Sequence, residues 1–334
     1  MLKYETEYAY AVGRIRVIEN RLLNRGLFDR MIDAATTEEI LRILQEAGYG
    51  ESEDESINLY DGELLLKQEY KNLYGLLKSI VPKPDIFNIF LLKNDYHNLK
   101  VLLKSEYGGF AQGDLLLDTG IIPVIELKLM IRDRKLGDLS SIMYDAFNEC
   151  TEVFNKTSDP QMIDVVLDKA SAKEAKAMAT VTQNKFLIEL CSMSIDLVNI
   201  KTFLRVKLMG KPRAFLESVI LSGGSLDLDL YTDNFDIGIE GLIENLSNSR
   251  YEAILGSSQE SYEKGNLAMY EKLSDNLITA FVSKAKHDAF GIEPLIAYLY
   301  AKENEIKNVR IVITGKANDI PGDTIRERLR EIYV

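Results

Sequence analysis

The chain has only two cysteines and two histidines in 334 residues, and each shortage removes a class of function. Cys150 and Cys191 are too few for a disulfide framework. Both read as small apolar residues of the interior, which suits a reducing compartment. A zinc site needs more Cys or His at fixed spacing than His97 and His287 supply, so no metal is expected. The Gly-rich phosphate loops are missing too. Gly210-Lys211 and Gly315-Lys316 lack both the loop and the hydroxyl, so no direct nucleotide binding and no cofactor are expected. No stretch approaches the roughly 18 uncharged apolar residues of a membrane-spanning helix. The most apolar region, 186–208, is broken by Glu189, Asp196, Lys201, Arg205 and Lys207. The segment Met1 to Tyr8 has no apolar core and no cleavage site, so no signal peptide is expected. Positive charge is also short: 40 Lys and Arg against 52 Asp and Glu leave a net charge of −12. Such a chain repels phosphate backbones, which argues against nucleic-acid binding. These absences describe a soluble, cytosolic protein that works without a catalytic centre.

What the chain does contain is a cassette used three times. Residues 95–103 read DYHNLKVLL, residues 196–204 read DLVNIKTFL and residues 305–313 read EIKNVRIVI. The pattern is acid, two residues, Asn, aliphatic, base, one residue, apolar, apolar. Its asparagines, Asn98, Asn199 and Asn308, stand 101 and then 109 residues apart. A period of that length is a small domain repeated, and three similar domains suggest a built shape such as a ring or funnel. The repeats divide the chain at 1–109, 110–212 and 213–334.

On a helical wheel Asp95, Asn98, Leu99, Leu102 and Leu103 share one face, and Lys100 points off it. The asparagine then sits half-buried at the edge of an apolar stripe, hydrogen-bonded to a backbone group of a neighbouring helix. In this reading Asp95, Asn98, Asp196, Asn199, Glu305 and Asn308 are structural pins of the repeat. A sharper reading has Lys100, Lys201 and Arg310 converge on a central opening and meet an acidic partner.

Helical periodicity dominates elsewhere, and the predicted class is all-α. Helices are expected over 8–24, from a capping box at Thr36 to Glu39, over 62–80, 85–104, 124–135, 138–156 and from Pro160. A second box is read at Ser171 to Glu174, then a cassette helix ending near Met209. Further helices are expected at 239–247, 262–285 and from Pro294, with a last one capped by Thr324 to Glu327. Glu51 to Glu55 reads as a solvated link, and Ser225 to Leu230 as an extended loop with some strand character. Two apparent sites fail on inspection. Ser261 to Lys264 fits S-x-x-K without its companion motifs. Asp227, Asp229, Asp233 and Asp236 miss calcium-loop spacing, because Tyr231 occupies the third ligand position.

The residues also resemble a known family, the C subunits of V/A-type ATPases and ATP synthases, equivalent to the d subunit of eukaryotic V-ATPases. The likeness is carried by YAYAVGRIRVIE at 8–19, DYHNLK at 95–100, FGIEPLIAY at 290–298 leading into AKENEIKNVRI at 301–311, and IRERLREIYV at 325–334. It implies three pseudo-threefold-related helical domains forming a funnel with a central cavity. It further implies a non-catalytic rotor part, peripheral on the cytoplasmic face of the membrane. There it would link central-stalk subunits D and F to the proteolipid ring during proton or sodium transport. A helical-repeat scaffold for another protein partner is the alternative.

Overall fold

Several helices start where a capping side chain and an apolar stripe coincide. In the computed structural model, residues 6–50, 61–109 and 111–333 are described. Helix α1 is Ala9–Ile18, α2 is Arg25–Asp33 and α3 is Thr37–Glu46. The Asn24 side chain caps α2 by accepting from the Leu27 N–H, and Thr36 caps α3 by accepting from the Glu39 N–H. Helix α4, Gly62–Ile80, starts under Asp61, whose carboxylate takes the N–H groups of Glu63 and Leu64. Helix α5, Asn88–Gly108, ends at Gly109, which adopts the left-handed backbone (φ 66°) that glycine tolerates. There follow α6 Val124–Asp133, α7 Ser141–Thr157, α8 Gln161–Val181, α9 Lys185–Leu208, α10 Arg213–Val219 and α11 Leu228–Asp233. The chain continues through α12 Ile239–Asn245, α13 Glu252–Glu263, α14 Ala268–Ser283, α15 Glu293–Ala317 and α16 Gly322–Arg328. The described residues contain no strand, so the class is all-α.

Four local readings change. Ser171 lies inside α8 and caps nothing, because the helix is already running from Gln161. Its supposed partner Glu174 is buried and accepts a 2.6 Å hydrogen bond from the Tyr96 hydroxyl. Ser225 to Leu230 is not strand-like; a short helix begins at Leu228. The expected helix 262–285 is two helices, split where Gly265 takes φ +81°. Helix α16 begins at Gly322, so Thr324 is an interior residue of it. The acidic link at 51–55 lies outside the described residues.

The chain forms two compact units, Met1–Pro84 with Ala268–Val334, and Asp85–Leu267. In the first, Phe28, Met31, Ile40, Leu44, Ile306, Val309, Val312 and Ile325 share a core that joins α2, α3, α15 and α16. In the second, Leu99, Leu103, Leu127, Phe147, Cys150, Ile163 and Leu167 join α5, α6, α7 and α8. Burial of each large apolar side chain contributes about 1.5–3 kcal/mol, and these clusters are the main source of stability. Both cysteines are free; Cys150 is fully buried and Cys191 half-buried. Among the described residues no helix is long and apolar enough to cross a membrane.

The cassette helices α5, α9 and α15 are unusual in burying residues all round. A helix enclosed on every side is normally apolar throughout. These three carry buried Asp, Asn, Glu and Lys, so each polar group must find a partner inside.

Candidate functional site

The three cassettes build one device three times. The side chain of Asn98 donates to the carbonyl of Leu117 and accepts from the Leu117 N–H, both at 2.8 Å. Asn199 does the same to Leu221, again at 2.8 Å in each direction. Asn308 donates to the Arg330 carbonyl at 3.2 Å and accepts from the Arg330 N–H at 2.8 Å. The gripped residue lies 19, 22 and 22 positions after its asparagine. An amide presents a donor and an acceptor side by side, so it satisfies both backbone groups of one extended residue as a neighbouring strand would. The asparagines are at most 1% exposed rather than half-buried. Their partners are extended segments following short connections, not helices. The wheel located the apolar stripe correctly, but it cannot show that a returning loop covers the stripe's edge.

The acid of each cassette grips a second piece of backbone. Asp95 accepts from the N–H groups of Ile121 and Ile122 at 3.0 and 3.1 Å. Asp196 accepts from Ser225 and Leu226, from the Ser225 hydroxyl, and from the Tyr251 hydroxyl at 2.8 Å. In front of each gripped pair stands a glycine. A Cβ on Gly120 would lie 2.1 Å from an Asp95 carboxylate oxygen, and one on Gly224 the same 2.1 Å from Asp196. Only a residue without a side chain lets the backbone come this close. These glycines escaped the sequence reading as part of the device. The available signal was a glycine shortly before the next helix after each of the first two cassettes. On α5 the grip is extended by Asn94, which donates to the Thr119 carbonyl, and by His97, whose Nε2 lies 2.9 Å from the Leu115 carbonyl oxygen.

Glu305 departs from this pattern. It accepts from the Leu23 N–H and from the Tyr49 hydroxyl, both at 2.5 Å. Lys302, one turn earlier, bridges Glu305 at 2.7 Å and Glu69 at 2.8 Å, and its ammonium lies 4.2 Å from the Tyr49 ring centroid. Burial pulls the Lys302 pKa down, but the Glu305 and Glu69 carboxylates outweigh it and hold the amine above its ordinary value. Burial, then the charge of Glu305, raises the Tyr49 phenol well above its ordinary range. The lysine and the hydrogen-bond donors together offset the desolvation of two carboxylates.

The recurring bases are placed differently from one another. Lys100 reaches Asp168 of α8 at 2.5 Å, and Arg310 makes a forked pair with Glu63 of α4 at 3.0 and 3.1 Å. Lys201 is half-buried. The asparagines and acids are thus absorbed by the fold, and the bases reach its periphery. Among the described residues no group of His, Cys, Asp and Glu is placed to hold a metal ion. Ser261 donates to the Asn266 side chain, and Lys264 pairs with Glu260.

Comparison with known proteins covers the chain almost from end to end. The chain is 30% identical to the C subunit of the V-type sodium ATPase of Enterococcus hirae, over 98% of this chain and 99% of that one. It is 27% identical to the C subunit of the A-type ATP synthase of Methanocaldococcus jannaschii, over 96% of this chain and 86% of that one. For the corresponding A-type ATP synthase chain of Thermococcus kodakarensis the identity is 23%, over 98% and 91%. Residues 11–328, which include all three cassettes, match the ATP synthase (C/AC39) subunit family, and the chain belongs to that family.

Proposed function

We propose that the chain is a non-catalytic rotor subunit of a V/A-type rotary ATPase. It lies peripherally on the cytoplasmic face of the membrane and links central-stalk subunits D and F to the proteolipid ring. Torque passes through it in either direction during proton or sodium transport. The observation that carries this reading is the likeness to the C subunit of a V-type sodium ATPase across both full lengths. The repeated clamp supports it, because a part that transmits torque must hold its helices in fixed register. We further assign the repeats to 1–109, 110–212 and 213–334 around a central cavity. Lys100, Lys201 and Arg310 provide its stalk-facing charge.

The test is retrieval of the tagged native chain under mild detergent, with mass spectrometry of everything retained. Stoichiometric recovery of the ATPase head, stalk subunits and proteolipid is expected. Recovery of the chain alone, or with an unrelated protein, would overturn the proposal.

A further inference from the structure

The second cassette helix leaves open a face that the first keeps covered. Two, six and nine residues after Asn98 stand Lys100, Lys104 and Tyr107, and at the same distances after Asn199 stand Lys201, Arg205 and Leu208. Each set puts two bases and a large apolar side chain on one side of its helix. On α5 other helices of the same compact unit occupy that side. Lys100 pairs with Asp168 and Lys104 with Asp164, both acids on α8 and both at 2.5 Å. Tyr107 stacks on Phe154 of α7 with ring centroids 4.3 Å apart, and its hydroxyl donates to Thr151 at 3.0 Å. On α9 the corresponding side is open towards the end of the helix. Leu208 is 39% exposed and the adjoining Met209 50%. Arg205 is exposed and pairs with no acid among the described residues. Lys201 is half-buried beside them. Residues 197–216 hold five bases and no acid, in a chain whose net charge is −12.

We propose that the face formed by Arg205, Leu208 and Met209 docks an amphipathic helix of another protein, one that carries two carboxylates four residues apart beside an apolar strip. The first cassette shows the chemistry such an occupant needs. Helix α8 meets the bases of α5 with Asp164 and Asp168, four residues apart, and turns Ile163 and Leu167 into the shared core. A helix laid against α9 in the same way sets its carboxylates on a strip of concentrated positive charge and takes Leu208 and Met209 out of water. An anionic lipid surface fits less well. It has no fixed spacing to match bases held four residues apart, and only two large apolar side chains stand out here for insertion. The face turns on Arg205 and Leu208, so it stands or falls separately from the stalk-facing reading of the three cassette bases.

Site-specific photo-cross-linking of the full chain, in the cells that make it, tests this. p-Benzoylphenylalanine replaces Leu208 in one version and Met209 in another, and the adducts are mapped by mass spectrometry. Both versions are expected to label one helical segment of another protein, with two carboxylates four residues apart within about two turns of the labelled residue. Arg205→Glu should lower the yield of that adduct by roughly 10-fold or more, because it faces a carboxylate with a like charge. Replacing the nearer mapped carboxylate by lysine should restore the yield against Arg205→Glu. Arg205 is exposed and unpaired within the described residues, so the variant should keep the parental circular dichroism and melt. Arg205→Gln, which removes charge without reversing it, gives a second reading in the same direction. Labelling of lipid, of a second copy of this chain, or of a segment without such carboxylates would overturn the proposal. So would the absence of any adduct from either position, or a parental yield from Arg205→Glu.

Discussion

Asn199 and Leu221 exchange a reciprocal pair of 2.8 Å hydrogen bonds across 22 residues of chain, in a setting almost closed to water. Removing the amide leaves a buried N–H and a buried carbonyl without partners, each costing about 1–3 kcal/mol. Asn199→Ala should therefore lower unfolding free energy by about 2–6 kcal/mol in urea titration. Asn199→Asp should be no milder, because it keeps the acceptor but replaces the donor with negative charge facing the Leu221 carbonyl.

The glycines divide by location. Gly120→Ala and Gly224→Ala force a Cβ against a carboxylate that is already committed to two backbone N–H groups. Each should destabilise by about 1–3 kcal/mol, the usual range for overpacking. Gly13 and Gly75 sit on exposed helix faces with open space around the missing Cβ. Gly13→Ala and Gly75→Ala should stabilise by about 0.5–1 kcal/mol. Thermal melts of the four variants, read side by side, separate the two groups by sign.

Lys302 holds two buried carboxylates apart. Lys302→Met keeps much of the side-chain volume but strands Glu69 and Glu305, a change of the kind that costs about 3–5 kcal/mol. The double variant Lys302→Met with Glu69→Gln should recover part of that loss. A urea midpoint for the single variant within experimental error of the parent would contradict the assignment.

Alkaline pH should unfold the protein through its buried and half-buried phenols. Burial, followed by the charge of Glu19, pushes Tyr333 up to about 12. Burial, partly opposed by Lys302, does the same to Tyr298. Burial and hydrogen bonds to Glu174 and Asp196 raise Tyr96 and Tyr251 as well. An unfolded tyrosine ionises near 10, so the folded chain retains protons that the unfolded chain releases. The stabilisation is complete below about pH 10 and is lost as pH rises through about 12. Absorbance at phenolate wavelengths should show a fraction of the tyrosines ionising only together with loss of helical circular dichroism.

Charge reversal of the cassette bases tests the stalk-facing assignment. Lys100→Glu, Lys201→Glu and Arg310→Glu together should weaken capture of the stalk subunits by at least 10-fold. The Lys100 and Arg310 pairs are partly exposed, so each substitution should cost only about 1 kcal/mol of stability or less. A folded triple variant that binds the stalk as tightly as the parent would exclude these residues from the interface.

How far an interaction reaches along the chain decides whether the sequence shows it. Helix α4 was legible to the residue, because Asp61 caps its start and Pro82 and Pro84 follow its end. The family resemblance and the three cassettes were legible because they repeat or match in order. The clamp was not, since its partners lie 19 to 30 positions away in segments without a shared motif. Ser171 misled for a local reason: four residues can spell a cap, but a helix already begun at Gln161 leaves them no free N–H to satisfy. Lys302, Glu69 and Tyr49 carried no signal at all, because they come together only through the packing of α4 and the segment after α3 onto α15.

The asparagine clamp also bears on how such chains can diverge. It fixes one residue on each side of a connection and leaves the length between them open, at 19 residues in the first repeat and 22 in the others. Insertions and deletions are therefore absorbed inside these connections without altering the register of the helices beyond them. A lineage can lengthen or shorten a repeat there and still present the same helices to whatever they touch. The asparagine and the acid, with a glycine in the first two repeats, make up the grammar of the repeat, and the loop between them is where its spelling is free to drift.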